Sequence, residues 1–322
     1  MRAPGFWWLS RPTWLARLLA PIGWIYGAAT LRRMGRPGEA AGVPVICVGN
    51  FIAGGAGKTP TALALAALLQ QRGETPVLLT RGYGGRLSGP VRVDPAIHGP
   101  IDIGDEPLLL AQRAPTIVAR DRVAGAALAR SVGASVIIMD DGLQNPSLQK
   151  QLSLAVVDGA AGAGNGYCVP AGPLRAPLAA QLRHVQAVLI IGAGVPGAAI
   201  AALAKAQGKA VIAATLEPSE SARALAGRRV IAAAGIGRPE KFSATVRDLG
   251  AVIVAERPFG DHHAYRPAEV EELVAAAIKD DCVVATTEKD MTKLASLWPQ
   301  AARERLLAVP VALTIDTPAV LE

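Results

Sequence analysis

Cysteine is scarce in this chain: three in 322 residues, at positions 47, 168 and 282, with no C-x-x-C pair. That excludes a disulfide framework and a thiolate zinc site, and it makes a reducing cytoplasm the expected compartment. Aromatic residues are only 4% and charged ones 18%, against 51% hydrophobic, so the chain is globular rather than disordered. Acids are missing in one place above all. Residues 1–36 carry Arg2, Arg11, Arg17, Arg32, Arg33 and Arg36 and no Asp or Glu, so six of the seven net charges (33 basic against 26 acidic residues) fall there. The basic stripe across the body that a nucleic-acid-binding protein needs is absent, and no nucleic-acid partner is expected. Nor is there a long apolar run. The longest uncharged stretch in the opening segment, 18–31, is shorter than the roughly 20 residues of a membrane span and contains Pro21, which should kink or break a helix.

What that opening segment does hold is tryptophan: Trp7, Trp8, Trp14 and Trp24, four of the five in the chain. A helix after Pro12 puts Leu15, Leu18, Leu19, Ile22 and Ile25 on one face, with Arg17 and Trp24 beside it. Tryptophan suits the headgroup level of a bilayer and arginine suits anionic lipid, so an interfacial helix on an anionic membrane surface is expected over 1–36. The plainer alternative is an N-terminal helix packed on the core. A secretory signal is disfavoured, because no small-residue cleavage site precedes a disulfide-type domain.

From residue 43 short apolar runs alternate with helical stretches. The runs 43–49, 76–80, 116–119, 135–140, 154–158 and 187–192 are apolar throughout, as in strands buried on both faces of a parallel sheet. Helices are expected over 58–72, 105–113, 121–132 and 197–207. This alternation predicts a doubly wound α/β domain. After a strand at 210–216 and a polar stretch, a second series begins: strands at 230–236, 251–257 and 283–287, helices at 239–248 and 267–279. The expected organisation is a helical segment over 1–36, a larger α/β domain over 37–225 and a smaller one over 226–322. A last strand over 309–317 is assignable to either domain or to a linker between them.

The glycine-rich stretch GNFIAGGAGKTP (49–60) follows a strand and opens a helix, the setting of a phosphate-binding loop. Gly54, Gly55, Ala56, Gly57, Lys58 and Thr59 would cradle the phosphates of ATP with backbone N–H groups. Lys58 would reach the β and γ phosphates and the Thr59 hydroxyl would bind Mg2+. The G-x-x-x-x-G-K-[ST] rule wants glycine at 52, which is isoleucine. GGAGKT instead matches the tail of the deviant loops of ParA/MinD-like ATPases, whose leading lysine is replaced here by Ala53. A membrane-associated switch of that type is the alternative reading, and the missing lysine argues against it. Asp140 and Asp141 end the strand of VIIMDDGLQ, where the carboxylate on the Mg2+ side of such a site belongs, and either one could serve. Asp105 and Glu106 of GDEP open a helix where a substrate hydroxyl could arrive, and Asp105 could take its proton. His262 and His263 (DHHAY) make too small a cluster for a metal site. TTEKD (286–290) resembles a guanine-reading motif only loosely.

Taken in order, VGNFIAGGAGKTP, LTRGYGG, GDEP, VARDR, DDGLQ, PAGPLR, FGDHHAY and TTEKD resemble the tetraacyldisaccharide 4'-kinase family over residues 48–290. The resemblance implies a P-loop NTPase-like sheet domain with a second α/β domain. It implies ATP and Mg2+ as cofactors, an acylated glucosamine disaccharide 1-phosphate as acceptor, and a place on the cytoplasmic face of a bacterial inner membrane, with no obligate protein partner. It assigns Asp105 as base paired with His262, His263 being the lesser candidate. Glu106 falls to the Mg2+ shell, Arg120 and Arg175 to phosphates, and Tyr83 and Gln144 to nucleotide or acceptor. One departure is Asn145, where the family commonly has histidine after DDGLQ.

Overall fold

In the computed structural model, which describes residues 3–316, nearly every apolar run becomes a strand. Residues 1–2 and 317–322 lie outside the described residues, and with them Arg2 and the end of the strand expected over 309–317. A 3-10 turn at Gly5–Trp8 precedes α1 (Trp14–Met34). There follow β1 (Val45–Gly49), α2 (Lys58–Gln71), β2 (Pro76–Thr80), β3 (Val91–Arg92), α3 (Pro100–Ile103), α4 (Asp105–Ala111) and β4 (Thr116–Val118). Next come α5 (Arg122–Ser131), β5 (Val136–Asp140), β6 (Leu152–Asp158), α6 (Leu178–Leu182), β7 (Ala187–Ile191), α7 (Val195–Ala206) and β8 (Ala210–Pro218). The second series is β9 (Arg229–Ala234), α8 (Pro239–Asp248), β10 (Val252–Pro258), α9 (Pro267–Lys279), β11 (Val283–Thr287), α10 (Glu288–Leu297), β12 (Leu306–Val309) and β13 (Val311–Ile315).

Nine strands form one sheet in the order β13-β8-β7-β6-β1-β5-β2-β4-β3, parallel except for β3 and β13 at its two edges. Successive residues of β1 feed opposite layers. Val48 packs with Ala62 and Leu65 of α2, while Val45 joins Ala126 and Ala129 of α5, and Cys47 joins Ile200 of α7. Burial on both faces is why these strands read as unbroken apolar runs. The second sheet, β10-β9-β11-β12, is wholly parallel. Its chain moves outward from β9 to β10 and then across to β11, so the strand order reverses between β9 and β11.

Three expectations change. The final strand is two, divided at Pro310. Residues 306–309 extend the second sheet, and 311–315 return antiparallel to β8 in the first. Proline has no N–H to donate, and the ladder changes partners there. The second sheet is therefore inserted between β8 and β13, and the chain crosses between the sheets twice. Helix α10, which the sequence reading passed over, follows β11 directly. Finally, Pro21 does not break α1, which runs unbroken for 21 residues. Pro21 and Arg17 are both exposed, so the carbonyl left without its donor is not shut in the core.

The face that α1 buries is not the leucine–isoleucine face. Ala16, Ala20, Gly23, Gly27, Thr30 and Met34 are buried, a stripe of mostly small residues three and four apart. A side chain at Gly23 would come within 2.7 Å of the Cys168 carbonyl, so glycine is what lets the helix lie against the segment after β6. Leu15 and Leu19 are half-buried, and the larger residues point away: Trp14 is 76%, Ile25 72% and Trp24 66% exposed. Trp7 alone among the four early tryptophans is buried, its indole N–H donating to the Pro170 carbonyl at 3.0 Å.

Candidate active site

The loop between β1 and α2 is held open from behind. Ile52, at the position where the rule wants glycine, is buried and forms a bridge with Leu174. The side chain there serves the core, and the turn is left to the glycines that follow. Asn50 donates to the Gly54 carbonyl at 2.9 Å. Gly57 has φ +87°, and a Cβ there would run into the Ile191 side chain. Gly57→Ala is expected to cost about 1–2 kcal/mol for the left-handed backbone alone, read as a lower unfolding midpoint together with weakened ATP binding. By contrast, nothing stands near a Cβ placed on Gly54 or Gly55, and both residues are exposed. Thr59 makes no side-chain hydrogen bond among the described residues.

Lys58 lies 3.8 Å from Asp141 and 3.5 Å from the Gly54 carbonyl. Asp141, at φ +51°, is gripped by Arg175 through two hydrogen bonds of 2.9 and 3.0 Å. Burial opposes its ionisation, but Lys58 and Arg175 hold its carboxyl down at about 2. Asp140 differs: one carboxylate oxygen is buried with no hydrogen-bond partner. Burial, with the Glu106 charge adding, pushes its carboxyl well above the usual range despite Lys58. Among the described residues no group of three or more His, Cys, Asp or Glu side chains is placed to hold a metal ion. Mg2+ ordinarily keeps water and phosphate oxygens in its shell and takes only one or two carboxylates. An orphan Asp140 oxygen near Lys58, with an uncommitted Thr59 hydroxyl, fits such an ion better than the tied-up Asp141.

Facing the loop, Gly104 breaks α3 from α4 and Asp105 begins α4. His262, on the loop after β10 and itself at φ +56°, approaches Asp105 across the two sheets, Nδ1 to Oδ1 at 3.1 Å. The other ring nitrogen lies 3.0 Å from the Lys289 ammonium. An ammonium only donates, so Nε2 accepts and Nδ1 carries the proton given to Asp105. Asp105 Oδ1 also accepts from the Glu106 N–H, and Oδ2 forms an ion pair with Lys293 at 3.1 Å. Burial works against the Asp105 anion. The His262 hydrogen bond and the Lys289 and Lys293 charges outweigh it and hold the carboxyl far below its ordinary value. Lys289 further contacts Glu106 at 3.4 Å and Asp261 at 3.3 Å. His263 turns away, bonding to Glu269 at 2.9 Å and lying against Phe259.

Other expected residues scatter. Tyr83 is exposed and meets the His262 ring edge-on at 5.2 Å. Arg120 is exposed and donates to the Gly85 carbonyl. Gln144, expected at the nucleotide, is instead buried with its amide spent inside the protein: on the Asn50 carbonyl at 2.8 Å, on Gln181 at 2.9 Å and on Arg175 at 2.9 Å. It braces the phosphate loop. Asn145 folds back on Ser147 in a local turn. Two lysines were overlooked. Lys289 and Lys293 are one helical turn apart on α10, and the signal was present in TTEKD: Thr287 caps the helix by accepting from the Asp290 N–H at 3.0 Å. Arg122 was overlooked as well. It is buried, with Asp140 the first of the charges that offset its burial.

The two sheets meet at further ion pairs. Asp158, ending β6, accepts from Arg238 and from Lys241 (3.1 Å) at the start of α8. Burial is again outweighed there, by Arg238 first, and the Asp158 carboxyl is held low.

The sequence profile of the tetraacyldisaccharide-1-P 4'-kinase family matches residues 15–322. A tetraacyldisaccharide 4'-kinase of Methylobacterium nodulans is 58% identical over 320 residues, spanning 99% of this chain and 93% of that protein. One of Methylorubrum extorquens strain PA1 is 61% identical over 296 residues, 91% and 90% of the two chains. Among solved structures, the "apo" form LpxK from Aquifex aeolicus in complex with ATP superposes with a TM-score of 0.73 at 23% identity, covering 95% of this chain and 97% of that one. That last likeness is one of fold.

Proposed function

Because the chain belongs to the tetraacyldisaccharide 4'-kinase family, we propose how its own residues divide the work of that reaction. The reaction is transfer of the γ-phosphate of ATP to the 4'-hydroxyl of tetraacyldisaccharide 1-phosphate, giving lipid IVA in lipid A biosynthesis. Bound ATP supplies the phosphoryl group, with Mg2+ offsetting the charge on its phosphates. The N–H groups of residues 54–59 hold the phosphate chain at the start of α2. Lys58 moves from its resting partners to the γ-phosphate. Thr59 and Asp140 hold the metal side, with Glu106 at the edge of that shell, and Asp141 keeps Arg175 aimed at the phosphates. Arg120 and Tyr83 face the acceptor.

The observation that carries this reading is the Asp105–His262 pair, formed between the two sheets on the phosphate-loop side. The 4'-hydroxyl gives its proton to Asp105 as its oxygen bonds to phosphorus and the bond from the γ-phosphorus to ADP breaks. His262, fixed by Lys289, turns Asp105 and stabilises its charge. In this reading the two sheets are the two domains, dividing near residue 225, with β13 returned to the first. An assay with ATP and the disaccharide 1-phosphate tests it: acceptor-dependent formation of the 4'-phosphate is expected. ATP turnover indifferent to the acceptor would favour the ParA/MinD-like switch instead.

The acceptor is a lipid, and α1 offers a surface for reaching it. No described helix is long and apolar enough to cross a membrane. Yet α1 exposes Trp14, Leu18, Ile22, Trp24 and Ile25 while burying its small residues, the arrangement of a helix that lies in a headgroup layer. We propose that this holds the enzyme to the cytoplasmic face of the inner membrane. Changing Trp14, Trp24 and Ile25 together to serine leaves the packed face intact. Each large apolar side chain withdrawn costs about 1.5–3 kcal/mol of burial, so co-sedimentation with vesicles should fall by well over tenfold. A variant that sediments like the parent would remove α1 as the anchor.

A further inference from the structure

A cavity of about 300 Å3 lies outside the kinase site, where the last turn of α1 meets the segment after the DDGLQ motif and the start of β6. Met34 and Arg36 form one wall, Lys150 and Ser153 another, and His184 and Gln186 a third. Two basic side chains, Arg36 and Lys150, line it and no carboxylate does; Glu39, the nearest acid in sequence, is not part of the wall.

The donors here are largely unspent. Arg36 and the His184 ring have no side-chain partner among the described residues. Ser153 is only 4% exposed, yet its hydroxyl makes no hydrogen bond among them. Gln186 uses its carbonyl oxygen on the Ser153 N–H at 2.8 Å, which leaves its NH2 free. Lys150 gives two protons to the Gly142 and Leu143 carbonyls, at 2.7 and 3.1 Å, and keeps a third. Burial pushes the Lys150 ammonium below its ordinary range, and burial with Lys150, Arg183 and Lys209 nearby does the same to His184. Unpaired donors and uncompensated cations around one opening are the complement of an anion with several acceptor oxygens.

We propose that this cavity is a phosphate-binding site and that its ligand is the phosphate of an anionic membrane lipid, distinct from the acceptor. The lipid source follows from position. The cavity begins at the end of the helix whose outer face carries Trp14, Trp24 and Ile25, and whose last turn holds Arg32 and Arg33. With α1 in the headgroup layer, the exposed Arg36 at the edge of the cavity, just past the helix end, is the wall residue placed to meet a lipid phosphate. This part rests on the membrane reading of α1 given above.

The test uses the full chain and three sequences: the parent, His184→Glu, which puts an opposing charge in the wall, and His184→Gln, which keeps a donor. Each is mixed with vesicles of phosphatidylcholine alone and of phosphatidylcholine with phosphatidylglycerol, and the ratio of bound fractions gives the preference for anionic lipid. The preference should fall about fivefold in His184→Glu and stay near the parent value in His184→Gln, with kinase activity in detergent unchanged in both. Binding to the neutral vesicles reports on α1 alone, so a failure of the anchor reading shows as loss of both signals in the parent. In a second arm inorganic phosphate is added without vesicles. A rise in melting temperature in the parent but not in His184→Glu, with equal vesicle preference, would keep the site and discard the lipid source. If His184→Glu matches the parent in both arms, the site does not exist.

Discussion

Asp105→Asn should lower kcat by about 10²–10⁴-fold, the usual worth of a positioned general base, while the KM for ATP changes little. Asparagine keeps the shape of the side chain and can still meet His262, but it cannot take a proton. Two neighbours make the comparison informative. In the resting geometry both Asp105 oxygens are engaged, Oδ1 by His262 and the Glu106 N–H, Oδ2 by Lys293. A carboxylate so well stabilised is a weak base toward a free hydroxyl. As the proposed base it would therefore take the proton late, when the oxygen is already bonding to phosphorus. His262→Asn removes the orienting contact and leaves the acceptor oxygen, so a smaller loss is expected. If Asp105→Asn turned over at near the parent rate, the base would have to be sought elsewhere, and His262 with its Lys289 contact would be the first place to look.

Lys58→Met should cost at least about 100-fold in kcat/KM, as when one preorganised charge is removed from a transition state. The fold should survive. Lys58 is half-buried but its contacts are long (3.5 and 3.8 Å), and Asp141 keeps its bidentate pair with Arg175 without it. An unchanged melting temperature together with lost turnover is the expected pair of results. Unfolding in step with the loss of activity would instead make Lys58 a structural tie for Asp141. Near-normal turnover would remove the loop from the chemistry.

Reading the chain alone found the strand–loop–helix around GGAGKT, because three kinds of local signal agree there: an apolar run, glycines at a turn and a helix start. GDEP and DHH were legible as chemistry, but their meeting was not, since 157 positions separate Asp105 from His262 and only tertiary packing joins them. The α10 lysines were passed over because TTEKD was compared with a nucleotide-reading motif instead of being read as a helix cap. The internal bonding of Gln144 was illegible for a different reason. A polar residue in a glycine-rich motif suggests a ligand, and nothing local reveals that Asn50, Gln181 and Arg175 already use up its amide. The leucines and isoleucines of α1 announced an apolar face, while the face that packs is written in alanine and glycine. Small residues carry little hydrophobic signal, yet they decide how closely a helix can lie against its support.

The return of β13 to the first sheet bears on how the protein is made. β8 ends at Pro218 and its neighbour β13 starts at Val311, so on the ribosome β8 waits as an open edge until the entire second sheet has been synthesised. An unpaired strand edge invites association with other chains. The chain therefore passes through a stage in which the nucleotide half is nearly complete but one border is unsealed. Substitutions that slow folding of residues 229–309 should then show first as aggregation through β8, even where the finished enzyme would tolerate them.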